Sequence, residues 1–124
     1  MKALILALAL GGTLAATQTA LAEPDLREGR KAARACAACH HLTREVRKFG
    51  PHLVGVIGRP VAGLPDFEYS AALKALGGVW TEERLADFLN APQEYAPGTT
   101  MKFPGFNDRT KAINAAAFVV RSQQ

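Results

Sequence analysis

Apolar and polar positions divide the chain into stretches of different character. Ala3 to Leu10 is an unbroken apolar run behind one positive charge, Lys2, and Gly11-Gly12 ends it. From Asp25 to Ala38 the spacing predicts a helix, with Leu26, Gly29, Ala32, Ala33 and Ala37 on one side and Arg27, Arg30, Lys31 and Arg34 mostly elsewhere. Residues 41 to 68 show no sustained period, and Gly50-Pro51, Gly55, Gly58, Pro60, Gly63 and Pro65 predict an irregular loop that needs something to wrap around. Helical spacing returns from Ser70 to Leu76, with Ser70 as the expected N-cap and Gly77-Gly78 as the stop. Thr81 is the expected cap of the next helix. Glu82 and Glu83 suit its positive end, and Leu85, Phe88 and Leu89 form an i, i+3, i+4 stripe. Pro92 is expected to end it. A last helix from about Asn107 or Asp108 is expected to bury Ala112, Ile113, Ala116 and Val120 with Phe118 on its flank, and Ser122-Gln123-Gln124 to fray. No strand pattern, repeat or linker interrupts this series, so the prediction is one all-α domain of four to five short helices.

The first 22 residues read as a different kind of segment. A positive start, an apolar run and small residues at Ala20 and Ala22 make a secretory signal peptide, with cleavage expected between Ala22 and Glu23. Polar Thr13, Thr17, Gln18 and Thr19 follow the run, which disfavours retention as a bilayer span, although an uncleaved anchor is the alternative. The exported domain is then 23–124. It loses one base, Lys2, and no acid, leaving 14 bases against 11 acids, or +3. With six Phe, two Tyr and one Trp in the whole chain, a domain of this size has a modest core that a cofactor would complete.

The chemistry concentrates in Cys36-Ala37-Ala38-Cys39-His40, the attachment pattern of a c-type haem. Two sulfurs three positions apart on a helical turn can add to the two vinyl groups on one porphyrin edge, and the histidine follows beneath the iron. A redox dithiol is the first alternative, but no strand precedes the motif. Zinc is the second, though His40 and His41 are adjacent and no further Cys/His pair follows. A disulfide between the two cysteines would close only a tiny loop. A haem iron that carries electrons needs a second axial ligand. The only methionine beyond the leader is Met101, in the turn-rich run Tyr95-Ala96-Pro97-Gly98-Thr99-Thr100-Met101-Lys102-Phe103-Pro104-Gly105, a stiff loop suited to holding one side chain in place. His41 and His52 compete for that role; His41 would face away from the iron, and His52 reads as a solvated loop residue.

The order of these motifs resembles a class I cytochrome c of the soluble bacterial and mitochondrial type, over about residues 28 to 122. The matching runs are Gly50-Pro51-His52-Leu53, Gly58-Arg59, Tyr69-Ser70, Trp80-Thr81-Glu82-Glu83 and Tyr95-Ala96-Pro97-Gly98-Thr99. The resemblance implies a small cytochrome c fold, its helices and long loops wrapped around one haem c held by thioethers to Cys36 and Cys39. His40 and Met101 would be the iron ligands. The Pro51 carbonyl would accept a hydrogen bond from His40. Arg59, Tyr69, Ser70 and Trp80 would serve the haem propionates, Thr99 a propionate or the haem edge, and Phe103 would cover the haem beside Met101. The chain also departs from the pattern. Alanines stand at Ala32, Ala33 and Ala115 where larger residues are common, Phe88 and Leu73 replace polar residues of the haem cavity, and Gln93-Glu94 replaces lysines ahead of the Met loop.

With both axial positions filled, the implied use is one-electron transfer in the periplasm and not catalysis. Expected partners are redox proteins with acidic docking faces, met transiently by a monomer. Lys74, Lys102, Arg34, Arg44, Arg47 and Lys48 are the basic candidates for that face. Mixed charges and export exclude nucleic acid as a partner, and leader removal excludes stable membrane insertion. The alternative in another class is a haem subunit locked into a periplasmic oxidising enzyme complex.

Overall fold

The computed structural model describes residues 11–13, 15–16 and 22–124. Most of the expected leader, residues 1–22, lies outside the described residues. Among those described, no helix is long and apolar enough to cross a membrane.

Among the described residues six helical segments follow one another: α1 Leu26–Ala32, α2 Arg34–Ala37, α3 Ala71–Leu76, α4 Glu82–Asn90, α5 Pro92–Tyr95 and α6 Arg109–Arg121. Local chemistry explains most of the starts. The Asp25 carboxylate accepts from the N–H groups of Arg27 and Glu28, the Ser70 hydroxyl from Leu73, Thr81 from Arg84, and Asp108 from Lys111. Each satisfies orphan donors of a first turn. Gly77 at φ 64° and Gly78 at φ 71° end α3 in backbone that a side chain would strain.

Two boundaries differ from the sequence reading. The expected continuous helix from Asp25 to Ala38 breaks at Ala33, which closes α1 and opens α2. Pro92 does end α4 but also starts α5, because proline is well placed in a first helical turn, where its missing N–H is not needed.

The packing frame is α6 crossed by α1 and by α4. Alanine makes the first crossing close. Ala32, Ala33, Ala112, Ala115 and Ala116 are all buried, and a Cβ on Gly29 would collide with the Asn114 carbonyl. The missing bulk at these positions is therefore taken up by close approach of the helices. Asn114, buried at this crossing, accepts from the Asp25 N–H at 2.9 Å and ties the entry of α1 to α6. The buried stripe of α6 also runs differently from expectation. Val119 is buried, whereas Ile113 and Val120 are only half-buried.

The long segment between α2 and α3 is irregular, as predicted, and is fastened at several points. Gly58 N–H donates to the Trp80 carbonyl at 2.7 Å, and Trp80 N–H donates to the Arg59 carbonyl at 2.9 Å. Gln123, read from sequence as fraying, instead donates to the Leu53 carbonyl at 2.7 Å and accepts from Gly55 N–H at 2.9 Å. The C-terminus thereby clamps a loop some seventy residues away in sequence. His52 is a second correction. It is buried, not solvated, and its Nδ1 has no partner.

Candidate cofactor site

The end of α2, the long loop, α3, α4 and the Met101 loop enclose a cavity of about 450 Å³, within the range of small-molecule sites. All eleven residues singled out from sequence line it: Cys36, Cys39 and His40 on one side, Pro51, Arg59, Tyr69, Ser70 and Trp80 along the loop and α3 edge, and Thr99, Met101 and Phe103 from the Met loop. Val56, Leu73, Leu85, Phe88 and Leu89 complete an apolar wall. Phe88 is buried between Trp80 and Tyr95, at ring distances of 5.4 and 5.9 Å, so that wall carries a ring where a polar donor would otherwise stand.

The two cysteines are free, Cys36 buried and Cys39 exposed, so the motif sets one sulfur inside and one at the rim. Burial pushes the Cys36 thiol up to about 11. That is the reverse of a reactive redox dithiol, whose thiolate is stabilised. Among the described residues, no three His, Cys, Asp or Glu side chains group closely enough to hold a metal ion, as the zinc alternative would need.

His40 is fixed in one orientation. Its Nδ1 lies 2.6 Å from the Pro51 carbonyl, and because a carbonyl only accepts, the proton is on Nδ1 and the Nε2 lone pair is free. Gly50 packs against the ring so closely that a Cβ there would overlap it. Burial pulls the imidazole below its ordinary value, assisted by Arg59 and Lys48 and opposed by the Pro51 hydrogen bond. A neutral, oriented imidazole with a free lone pair is what a metal ligand must be.

The Met101 loop is held by a residue whose contacts the sequence does not announce. Gln93, on α5, donates from Nε2 to the Thr99 carbonyl at 3.2 Å and the Met101 carbonyl at 3.3 Å. Thr99 N–H donates to the Ala96 carbonyl at 2.9 Å, and Gly98 turns the chain at φ 92°. Arg84 is a second such residue. It donates to the Tyr95 hydroxyl and to the carbonyls of Gly77 and Val79, and lies over the Trp80 ring. No local motif announces either contact, since both depend on where α4 and α5 lie.

The polar groups of the cavity are partly engaged. Arg59 Nη1 donates to the His52 carbonyl at 3.0 Å, and the Tyr69 hydroxyl accepts from Leu64 N–H at 3.3 Å. Burial lowers the Arg59 value, with Tyr69 and Asp66 acting the other way. A guanidinium stays charged under any such shift, so the cavity has a cation on its wall able to meet a carboxylate. A largely apolar cavity with sulfurs at one edge, a neutral imidazole and a thioether on its wall, and a cation with hydroxyls at its polar edge fits a haem.

The fold and the cavity together define a small helical protein built to enclose a planar, iron-bearing cofactor. No family model matches the chain. The chain is 45% identical over 84 residues to a cytochrome c homolog of Rickettsia prowazekii, covering 67% of this chain and 48% of that protein, so it spans about half the length of such relatives. It is 39% identical over 104 residues to cytochrome c2 of Agrobacterium tumefaciens, covering 81% of this chain and 94% of that one. In structure it resembles cytochrome cH from Methylobacterium extorquens, with a TM-score of 0.70 and 36% identity over 78% of this chain and 98% of that chain. The chain belongs to the cytochrome c family, in its class I fold.

Proposed function

We propose that the protein is a periplasmic one-electron carrier with a single haem c attached through Cys36 and Cys39 and ligated by His40 and Met101. The observation that carries this reading is that His40, neutral and oriented by Pro51, lines the same cavity as the thioether of Met101. When bound, the haem supplies an iron that alternates between ferrous and ferric states.

This chain's own residues set the conditions for that alternation. A soft thioether favours the ferrous state, and the apolar wall of Leu73, Leu85, Phe88 and Leu89 disfavours the more charged ferric state. Arg59, Tyr69, Ser70 and Trp80 offset the cost of burying propionates, Thr99 adds a hydroxyl at the Met edge, and Phe103 shields the methionine side. With His40 and Met101 both serving as ligands, the residues present would leave the iron no open site for substrate chemistry.

Residues 1–22 act as the export leader and are removed, in this reading, leaving a monomer that meets acidic redox partners transiently. Of the basic residues proposed for that contact, Lys74 is held by Glu68 at 3.0 Å and Lys48 donates to the Ala37 carbonyl at 3.0 Å, while Arg44, Arg47 and Lys102 are exposed. Exposed cations with few fixed partners suit weak, fast, steered encounters.

The test is the optical spectrum of the reduced protein before and after carbon monoxide. The native protein is expected to be unchanged and Met101→Ala to bind the gas. Binding by the native protein at neutral pH would overturn the His/Met assignment.

A further inference from the structure

Phe49 is the most exposed large apolar side chain among the described residues, at 84%, with Val46 next at 49%. Its position is not arbitrary. The exposed members of the cofactor cavity's lining mark its mouth, and they are Ala35, Cys39, Phe49, Thr100, Lys102 and Pro104. Four of these six are small or lack an ionic or aromatic end, so the rim carries one large ring, Phe49, and one cation, Lys102.

The backbone that presents the ring is fastened on both sides. Gly50 N–H donates to the Cys39 carbonyl at 2.9 Å, Lys48 N–H donates to the Gly50 carbonyl at 3.0 Å, and Lys48 Nζ donates to the Ala37 carbonyl at 3.0 Å. Phe49 is therefore tied through its neighbours to the end of α2 and to the exposed cysteine. Gly50 is in turn pressed against the His40 ring, which leaves this part of the loop little room to shift. A ring with two rotatable bonds on a held backbone has little conformational freedom left to lose when a partner covers it.

The chain around the ring is basic. Arg44, Arg47 and Lys48 are exposed, Glu45 is the one acid between them, and among the described residues none of the three cations is in an ion pair. An apolar knob inside a ring of unpaired positive charge repels a second copy of the same surface and suits an acidic one.

We propose that Phe49 is the anchor of the docking surface, inserting into an apolar pocket bordered by carboxylates on the redox partner. This rests on the electron-carrier reading and adds a division of labour to it. Arg44, Arg47, Lys48 and Lys102 set how fast the partners meet, whereas the ring sets how long they stay, as aromatic anchors near the centre of an interface do. Because the ring stands at the mouth beside Cys39, seating it brings the cofactor edge against the partner.

The test follows oxidation of the haem-loaded ferrous protein by membrane vesicles of Agrobacterium tumefaciens, at low and at high ionic strength. Phe49→Ala is expected to raise KM at least fivefold at both, with kcat within about twofold of native, and Phe49→Leu, which keeps an apolar knob, to recover most of the loss. Arg44→Gln/Arg47→Gln is expected to raise KM at low ionic strength only. Ile57→Ala removes another exposed apolar side chain, one that does not line the cavity, and is expected to stay within about twofold. An unchanged KM in Phe49→Ala, or an equal rise in Ile57→Ala, overturns the anchor. So does a native protein that sediments as a dimer and becomes monomeric in Phe49→Ala, since the occupant is then a second copy. Cycling by ascorbate and ferricyanide reads the carrier function separately. A native protein that ferricyanide oxidises and the vesicles do not overturns the docking site and leaves the carrier reading standing, whereas one that neither reagent cycles overturns that reading and the anchor with it.

Discussion

Arg84 donates through Nε to the hydroxyl of Tyr95 at 2.9 Å, a link between α4 and α5 that also seats the guanidinium over Trp80 at 5.6 Å. The same side chain gives two 3.0 Å hydrogen bonds to the carbonyls of Gly77 and Val79, so one residue holds the turn ahead of α4, the helix itself and the segment entering the Met loop. It is half-buried, and among the described residues it has no carboxylate partner.

Two effects should separate on substitution. Arg84→Gln leaves several acceptors without their charged donor and is expected to cost about 2 kcal/mol in denaturant unfolding. It also removes an unneutralised cation from behind the cavity wall, which should lower the reduction potential, since a nearby positive charge disfavours the ferric state. Arg84→Lys keeps the charge and loses the fork, so it should lose stability while holding its potential closer to the native value. Equal potentials in all three proteins would show that Arg84 is purely structural.

Gly29 makes the second prediction. Its missing Cβ is what lets α1 rest on the Asn114 backbone, and Phe118 Cβ would also lie 2.9 Å from any added carbon. Since the obstacle is mostly backbone, the helices must separate. Gly29→Ala should destabilise by about 2 to 3 kcal/mol in denaturant unfolding, despite alanine's better helix propensity. A gain in stability would mean that the crossing is loose.

The contrast between these two residues shows what sequence can carry. Gly29 was legible as a small residue on the apolar side of the first helix, the side that packs against α6. The caps Ser70, Thr81 and Asp108 were legible because capping is settled within three residues of chain. The eleven residues named from the resemblance, whose motif order and spacing are specific, also line one cavity. The contacts of Arg84, Gln93 and Gln123 were not legible. Each is an ordinary polar residue whose partners are set only after distant segments pack. His52 failed for a related reason, since its Gly-Pro surroundings spoke of a loop but not of a loop pressed against other segments.

Asp25 supplies a pH dependence away from the cavity. Its carboxylate accepts from Glu28 and Arg27 N–H at the start of α1, and these bonds hold its value below the ordinary carboxylate range. A group with a lowered folded value stabilises fully above the unfolded value, near 3.9, and loses that contribution as pH falls through the folded one. Asp25→Asn keeps an acceptor for the cap but not the charge. The native protein should therefore melt higher than Asp25→Asn at about pH 6, and the gap should close as the pH falls below the ordinary carboxylate range. A gap that is constant with pH would mean that the carboxylate charge contributes nothing to the cap.

Gln93 gives the last prediction, and it concerns how firmly the methionine is presented. The two carbonyls it holds belong to Thr99 and to Met101 itself, the residue that would turn toward the iron. Among the described residues no other side chain donates to the Met101 carbonyl, so removing the amide frees a loop otherwise held by the Thr99 N–H bond to Ala96 and by Pro97 and Pro104. Each neutral hydrogen bond is worth about 1 kcal/mol. Because Gln93 is exposed, water replaces part of that loss, so global stability should fall by no more than about 1 kcal/mol in Gln93→Ala. The local effect should be larger than the global one. Displacement of the methionine by added imidazole, followed in the visible spectrum of the oxidised protein, should proceed several-fold faster in Gln93→Ala than in the native protein, and Gln93→Glu, which cannot donate, should behave as the alanine variant does. Unchanged displacement rates in both would place the stiffness of the loop in its prolines and its own internal hydrogen bonds.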